Sequence, residues 1–253
     1  MSLPILLYHE IAYRHSVIST PVEVFRSQMA WLKQAGIEVL PLNEIAHRLD
    51  DGMLLPRKAV CLTFDDGLAG VYDHAFPILL EFSLPAVLFL VTDYCGLSNN
   101  WPGQPDAFRG FPIVNWEQVQ EMEAAGIGIG SHSLSHPRLD QLSLPELQHQ
   151  IRGSKEAIAE HISSPVDWFA YPFGRYSYDV LQVVKSLYQG ACTTRLELVR
   201  AGSDKHQLGR IEAYYLLNPF AFRLLNSRAF PAYIAIRRLL RTIGGFVYDR
   251  PWT

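Results

Sequence analysis

The sequence predicts an α/β fold in which helices surround a largely parallel sheet. Short apolar segments alternate with amphipathic stretches along most of the 253 residues, which is typical of repeated βα units. Hydrophobic residues make up 49% of the chain and charged residues 19%, so it can bury a sizeable core and is neither disordered nor fibrous. The length allows one or two domains, because a parallel barrel can use about 250 residues as one unit.

The strands are predicted from short apolar runs that are bounded by turn residues. In chain order they cover residues 5–8, 37–40, 60–64, 86–91, 127–130, 167–171 and 190–194, with a weaker strand near 208–212. The run at 60–64 is apolar enough to be buried on both faces.

The helices are predicted from apolar positions that recur at helical spacing between these strands. They cover residues 22–35, 43–49, 68–82, 116–125 and 145–161. Phe25, Met29 and Leu32 form the apolar stripe of the first helix. Ser143, with Glu146 three residues later, predicts a capping box at the start of the last one. Residues 93–112 contain three Pro and three Gly, which predicts a long loop of the kind that often has a function.

The charge is unevenly distributed along the chain. A formal net charge of −3 gives no reason to expect a nucleic-acid partner. Residues 213–248 contain five Arg and no acidic residue, which leaves 17 basic against 25 acidic residues, a charge of −8, on the rest. The sequence therefore predicts a barrel over residues 1–215 and a basic extension over residues 216–253.

The extension contains a predicted basic amphipathic helix after Pro231. Tyr233, Ile236, Leu240 and Ile243 follow helical spacing, whereas another face carries Arg237, Arg238 and Arg241. Two arrangements follow from this pattern. The helix either lies at an anionic membrane surface, as a peripheral contact, or packs on the barrel with its Arg residues solvated or paired with the acidic body.

The cysteines and the first residues of the chain predict a location. Cys61, Cys95 and Cys192 form neither a CxxC pair nor a disulfide framework, which favours a reducing compartment. The opening residues do not resemble a signal peptide, and no run approaches the roughly 18 apolar residues that a membrane span requires. We therefore expect a cytoplasmic protein, or one at the inner face of the membrane.

Polar residues collect at the ends of the predicted strands, where the functional site of a parallel barrel forms. Asp65 and Asp66 directly follow a buried strand, and two adjacent acids are costly there unless a cation offsets them. His132 and His136 have the i, i+4 spacing that brings two imidazoles to one face of a helical turn. One carboxylate with two imidazoles is a typical ligand set for catalytic Zn²⁺ or a related divalent ion.

These residues also carry a family resemblance. Thr63-Phe64-Asp65-Asp66-Gly67, then His132-Ser133-x-x-His136, then a Tyr-Pro-Phe-Gly strand end resemble the polysaccharide deacetylase family, the NodB-homology carbohydrate esterases of family 4. The opening Leu-Leu-Tyr-His-Glu-Ile resembles the branch related to poly-N-acetylglucosamine deacetylases. The resemblance covers roughly residues 3–212 and implies a distorted (β/α)₇ barrel.

The resemblance also implies the roles of individual residues. One divalent ion, Zn²⁺ or else Co²⁺ or Ni²⁺, would be held by Asp66, His132 and His136. Asp65 would be the general base, His9 the acid that protonates the departing amine, and the backbone N–H of Phe173 a donor to the oxyanion. Tyr8, Trp101 and Tyr171 would line a sugar pocket or have an ordinary packing role. Arg210 would line that pocket or, like Glu212, support the site residues from behind.

Two positions depart from the wider family. The Arg that orients the base there is replaced here by Ala170. The C-terminal motif that supplies the acid there corresponds here to a stretch in which His206 precedes the strand instead of ending it. We therefore favour His9 as the acid and keep His206 as the alternative.

The function implied is metal-dependent removal of N-acetyl groups from a sugar, an oligosaccharide or a lipid-linked glycan. O-deacetylation, or hydrolysis of another small amide, is an alternative that the same site could perform. A carbohydrate-binding barrel with weak catalysis is a third. The complete set of Asp65, Asp66, His132 and His136 argues against the third, while the missing Arg keeps it open.

Overall fold

The computed structural model describes residues 2–14 and 16–247. Its strands are β1 (Ser2–Leu3), β2 (Ile5–Tyr8), β3 (Glu10–Ala12), β4 (Ser19–Pro21), β5 (Glu38–Val39), β6 (Ala59–Phe64), β7 (Val87–Leu90), β8 (Gly128–Ser131), β9 (Trp168–Ala170), β10 (Gly190–Cys192), β11 (Val199–Arg200) and β12 (Ile211–Glu212). Its helices are α1 (Val22–Gln34), α2 (Leu42–Asp50), α3 (Phe76–Phe82), α4 (Trp116–Ala124), α5 (Leu144–Ala159), α6 (Tyr178–Leu187), α7 (Pro219–Arg223) and α8 (Phe230–Val247).

A curled parallel sheet forms the centre of the molecule. Its strands lie in the order β10-β9-β8-β7-β6-β2-β12, and β5 pairs with the beginning of β6. The two ends of this order meet just before β12, where the N–H of Leu208 donates to Ala191 O at 3.0 Å and the N–H of Thr193 donates to Leu208 O at 2.7 Å. The expected α/β fold, a distorted (β/α)₇ barrel, is confirmed.

All eight strands expected from the sequence are present, and each differs from its expected bounds by a few residues at most. The helix expected at 68–82 contains a π-helical turn over Val71–Ala75 that leads into α3. Asp66 and Gly67, just before this segment, adopt φ values of 71° and 72°, which a right-handed helix does not contain. Helix α6 was not expected; the side chain of Ser177 caps its first turn, and Val180 and Val184 are buried.

The sheet separates two parts of the core. Because side chains alternate along a strand, Leu62 and Phe64 pack against the surrounding helices. Cys61 lies on the other face of β6 and packs with Phe89 and Cys192 inside the barrel. Thr63, and Asp65 just after the strand, continue that inner face at its carboxyl end. The barrel interior therefore leads directly to the predicted site.

The predicted basic helix is present as α8, and it packs on the barrel. Phe230 and Ile234 are buried, and the hydroxyl of Tyr233 donates to Tyr215 O at 2.6 Å. The expectation of solvated Arg residues is wrong for Arg241, because its Nη1 donates to Thr194 O at 3.1 Å and lies 3.4 Å from a Glu212 carboxylate oxygen. Arg241 instead follows the other expectation, because it pairs with an acidic residue of the barrel, Glu212.

Only part of the apolar stripe that the sequence indicated on α8 packs on the barrel, because Tyr233 does so and Ile236 and Leu240 do not. Ile236 and Leu240 are exposed, whereas Arg237 is half-buried and donates from Nε to Tyr233 Oη at 3.1 Å. The side chain of Ile243 and residues 248–253 of the predicted extension lie outside the described residues. None of the helices in the described part of the chain has both the length and the apolar character needed to cross a bilayer.

Candidate active site

A cavity of about 490 Å³ opens at the carboxyl ends of the barrel strands. This volume lies within the range of about 300–1,000 Å³ that is usual for small-molecule sites. All six residues given a catalytic or metal-binding role from the sequence line it: His9, Asp65, Asp66, His132, His136 and Phe173. They follow different strands, as expected because the carboxyl ends of parallel strands converge at one end of a barrel.

Asp66, His132 and His136 form a cluster that fits a metal ion. All three are buried, and one ligand atom from each lies within 4.8 Å of the others. Asp66 Oδ1 is 3.6 Å from His132 Nε2 and 3.5 Å from His136 Nε2. These separations are too long for hydrogen bonds, but they are close to the spacing of about 3.3 Å between ligands at the corners of a tetrahedral zinc site.

The protonation of the two imidazoles suits this role. His132 Nδ1 lies 2.7 Å from Ala170 O, and because a carbonyl only accepts, Nδ1 carries the proton and leaves the Nε2 lone pair free. Burial, with a smaller contribution from the neighbouring His132, holds the pKa of His136 well below its usual value, which favours a neutral ring. Burial raises the pKa of Asp66, and a bound cation would oppose that shift.

Strained backbone is concentrated around the same cluster. Five non-glycine residues among those described have positive φ, and four of them lie here: Asp66 at 71°, Ser133 at 70°, His136 at 57° and Phe173 at 59°. Each such conformation costs on the order of 1 kcal/mol and persists only where neighbouring contacts hold it. The Ser133 hydroxyl oxygen does so by accepting from the backbone N–H of His136 at 3.0 Å.

Asp65 is held by a buried arginine. Nη1 and Nη2 of Arg210 donate to the two carboxylate oxygens at 2.7 Å and 2.6 Å, and both side chains are almost completely buried. Arg210 also donates from Nε to Thr193 O at 3.1 Å, so its orientation is fixed on both sides. Burial raises the pKa of Asp65, but Arg210 and His132 outweigh that effect and lower the pKa to about 2. Asp65 is therefore an ionised carboxylate beside the cluster.

Comparison with known proteins agrees with this geometry. The family model described as polysaccharide deacetylase matches residues 54–189, more than half of the chain. The chain belongs to the polysaccharide deacetylase family. It is 26% identical over 197 residues to the poly-β-1,6-N-acetyl-D-glucosamine N-deacetylase of Staphylococcus epidermidis, and the match covers 74% of this chain and 65% of that enzyme. The chain thus spans about two thirds of the length of this relative.

Two solved structures have the same fold. The Streptococcus pyogenes deacetylase PplD, in complex with acetate, superposes with a TM-score of 0.74 at 26% identity, covering 84% of this chain and 92% of that one. IcaB from Ammonifex degensii superposes with a TM-score of 0.75 at 25% identity, covering 90% and 97% of the two chains. These relatives confirm the resemblance to the poly-N-acetylglucosamine branch of the family.

In this family member the arginine beside the base comes from an unexpected position. Ala170 stands where the wider family has its Arg, and Arg210, from the segment before β12, reaches Asp65 instead. Of the two roles considered for Arg210, lining a sugar pocket does not fit, because its side chain is fully buried outside the cavity wall. Its contacts with Asp65 fit the other role, support of a site residue from behind.

Two of the three aromatic candidates are also not pocket residues. Trp101 is fully buried, with its ring centroid 4.7 Å from that of His136, so it supports a candidate ligand and cannot contact a sugar. Tyr171 is fully buried, and its hydroxyl donates to His206 O at 2.9 Å. Tyr8 does lie in the cavity wall, although it is 1% exposed and its hydroxyl donates to Gln28 Oε1 at 2.8 Å.

The two candidate acids lie in different places. His9 directly follows β2 and lines the cavity. His206 is not part of the cavity wall, and its Nε2 lies 3.0 Å from Tyr188 O. The geometry therefore favours His9 for proton transfer at this site.

Other residues of the cavity wall were not expected from the sequence. They are Leu7, Val17, Ile18, Ser19, Thr20, Gln104, Pro105, Phe108, Thr194, Ala213, Tyr214, Tyr215 and Arg241. Thr194 lies at the end of a predicted strand, so a complete survey of strand ends could have found it. Glu212, considered from the sequence as a supporting residue, also lines the cavity. Gln104, Pro105 and Phe108 come from the long loop at 93–112, and Arg241 comes from α8. The composition of the loop indicated that it could have a function, but no local signal showed which of its residues reach the cavity or that Arg241 does.

Proposed function

We propose that this member of the polysaccharide deacetylase family removes N-acetyl groups from amino-sugar residues of a glycan or glycan precursor and releases acetate. The observation that carries the proposal is the position of Asp65, which is held by Arg210 next to the Asp66, His132 and His136 cluster in one cavity. The Staphylococcus epidermidis relative, named for N-deacetylation of a β-1,6-linked glucosamine polymer, supports the substrate class.

The cluster would hold the metal ion, for which Zn²⁺ suits the donor set and Co²⁺ or Ni²⁺ are alternatives. Such an ion lowers the pKa of a water molecule and polarises the acetyl carbonyl. Asp65 takes the proton of the attacking water. It can do so while paired with Arg210, because each carboxylate oxygen has two lone pairs and the guanidinium uses one of them.

Two further groups act on the substrate side of the reaction. The backbone N–H of Phe173 donates to the oxygen on which negative charge develops. Phe173 has a positive φ. The next residue must be a glycine, because a Cβ at Gly174 would lie 2.1 Å from Thr194 Oγ1. His9 gives a proton to the amine as the C–N bond breaks. The hydroxyl group of the water thus ends on acetate, and a proton ends on the nitrogen of the free amino sugar.

The pairing of Arg210 with Asp65 weakens the case for a non-catalytic carbohydrate-binding barrel. That alternative remained open because Ala170 replaces the Arg of the wider family. A binding barrel would have no use for a buried guanidinium that fixes an unligated carboxylate beside a metal ligand set. O-deacetylation needs the same groups and is separated from N-deacetylation by the choice of substrate in the experiment.

The experiment measures acetate release from β-1,6-linked N-acetylglucosamine oligomers, from a lipid-linked acetamido sugar and from an O-acetylated glycan. We expect release from the N-acetylated substrates, loss of activity with a chelator, and recovery when Zn²⁺ is restored. Asp65→Asn should reduce kcat at least 100-fold, on the order of the contribution of a general base. The matched control is Asp179→Asn, which removes an exposed carboxylate from α6 and should leave kcat unchanged.

Three results would count against the proposal. Activity that is insensitive to the chelator, or that survives Asp65→Asn, would exclude this mechanism. If acetate were released only from the O-acetylated glycan, the site would be that of an O-deacetylase. Binding of the oligomers without any release of acetate would favour the carbohydrate-binding barrel.

A further inference from the structure

The part of α8 that follows Ile234 is arranged unlike an ordinary surface helix. Apolar side chains normally face the body of the protein and charged ones face water. Here Arg237 and Arg241 are half-buried and bonded to the body, whereas Ile236, Leu239 and Leu240 are 58%, 60% and 53% exposed. The outer face of α8, defined here as Ile236, Leu239 and Leu240, is thus apolar.

The outer face is a patch and not a set of scattered residues. Positions 236, 239 and 240 are i, i+3 and i+4, so their side chains are neighbours on one side of the helix. Single exposed apolar residues are common on soluble proteins, but contiguous ones mark a surface that contacts something apolar.

The charge around the outer face indicates what that contact is. Arg238 is exposed on the flank of α8, about 100° around the helix from Leu239, and Arg223 and Arg228 are exposed on the segment that leads into α8. Residues 213–247 carry no acidic side chain that could neutralise them. An apolar helix face with cationic neighbours is complementary to the surface of an anionic bilayer. Two copies of this chain packed through α8 would instead bring like charges together.

We propose that the outer face of α8 docks on anionic lipid membranes, with Ile236, Leu239 and Leu240 inserted at the headgroup boundary and Arg238 among the headgroups. The opposite face of the same helix carries Arg241, which lines the active-site cavity. Docking would therefore attach the protein to the bilayer through a helix whose other face contributes to the cavity wall. The consequence, that a glycan displayed at a lipid surface is the preferred substrate, rests on the proposed deacetylase function; the docking itself does not.

The test is flotation of the full chain with vesicles of phosphatidylcholine alone and with vesicles of phosphatidylcholine and phosphatidylglycerol in equal amounts. We expect binding to the anionic vesicles that weakens with salt. The triple variant Ile236→Ser, Leu239→Ser, Leu240→Ser should bind on the order of 100-fold more weakly, since each half-inserted side chain contributes about a factor of five. Arg238→Gln should reduce binding about fivefold and lower its sensitivity to salt.

The matched control replaces three equally exposed leucines elsewhere. Leu54, Leu80 and Leu97 are 67%, 48% and 59% exposed, so their triple Ser variant removes similar apolar surface and should bind like the wild type. Hydrogen exchange of the unsubstituted protein is a second measurement, in which anionic vesicles should slow exchange within residues 232–242. Acetate release from soluble oligomers should be the same in all these variants, which tests the deacetylase function separately.

Several outcomes would overturn the docking proposal. The first is a full chain that does not float with anionic vesicles, and the second is an α8 triple variant that floats as well as its control. The third is a dimer that forms without vesicles and dissociates in the α8 triple variant, because it would assign the outer face to a second copy of the chain.

Discussion

Removal of the Arg210 side chain tests the central electrostatic feature of the site. Arg210→Met keeps a long side chain but leaves the Asp65 carboxylate buried without its two charge-assisted hydrogen bonds, at 2.7 Å and 2.6 Å. Hydrogen bonds to charged groups contribute about 1.5–3 kcal/mol each, and breaking a buried ion pair costs about 3–5 kcal/mol. We therefore expect the free energy of unfolding to fall by about 4 kcal/mol.

Urea unfolding with a chelator present measures this loss without a contribution from metal binding. At a slope of about 3 kcal/mol per molar urea, 4 kcal/mol lowers the midpoint by about 1.3 M. The double variant Arg210→Met, Asp65→Asn has no buried charge at this position and should recover at least half of the loss, so the two substitutions are strongly non-additive. The reasoning fails if Arg210→Met costs less than about 1 kcal/mol, or if the two effects simply add.

Three further predictions concern packing, metal affinity and acid stability. Gly130→Ala should abolish folding or lower the free energy of unfolding by more than 2 kcal/mol, because the new Cβ would lie 2.6 Å from aromatic carbons of the neighbouring strand; a fully stable variant in urea would contradict this. Trp101→Leu should weaken Zn²⁺ binding at least tenfold in calorimetry, since the indole fixes the ring of His136. An unchanged affinity would show that the indole does not position His136 for the metal. Burial raises the pKa of Asp204, but hydrogen bonds, first that from Lys185, lower it to about 2. Its contribution to stability is therefore complete above about pH 4 and is lost as the pH falls toward about 2, so the urea midpoints of wild type and Asp204→Asn should converge over that range; a constant difference would refute the assignment.

The parts of the fold and site that follow from local sequence could be predicted. The apolar run ending at Phe64 identifies a buried strand, and parallel strands bring their carboxyl ends together, so Asp66 and His132 could be placed near each other from strand positions alone. The capping box at Ser143 and Glu146 is present because its two hydrogen bonds depend only on residues three apart.

Features that depend on distant parts of the chain could not be predicted. Arg210 is 145 residues from Asp65, and nothing near either residue indicates that they pair. Trp101 lies in a loop whose composition indicates only irregular structure, but Asn99 bonds to Phe108 O and orders that loop, which buries the indole against His136. The pattern of α8 left open whether the helix lies at a membrane surface or packs on the barrel. It could not show that Arg241 reaches the Glu212 carboxylate and the carbonyl oxygen of Thr194, because those partners are 29 and 47 residues away.

The two adjacent carboxylates, costly as a pair, lie in different surroundings, and the one fixed cation in contact with them among the described residues, Arg210, pairs with Asp65. Asp65 continues the inner face of β6 and meets the guanidinium of Arg210 inside the barrel. Asp66 leaves the strand geometry at a φ of 71°, and its carboxylate meets His132 and His136 at the mouth of the cavity. One acid is neutralised by a fixed organic cation, and the other is available to an exchangeable metal ion. That division leaves Asp65 ionised but unligated, which is the state a general base requires, and it explains why an Arg is needed here even though Ala170 has taken its usual place.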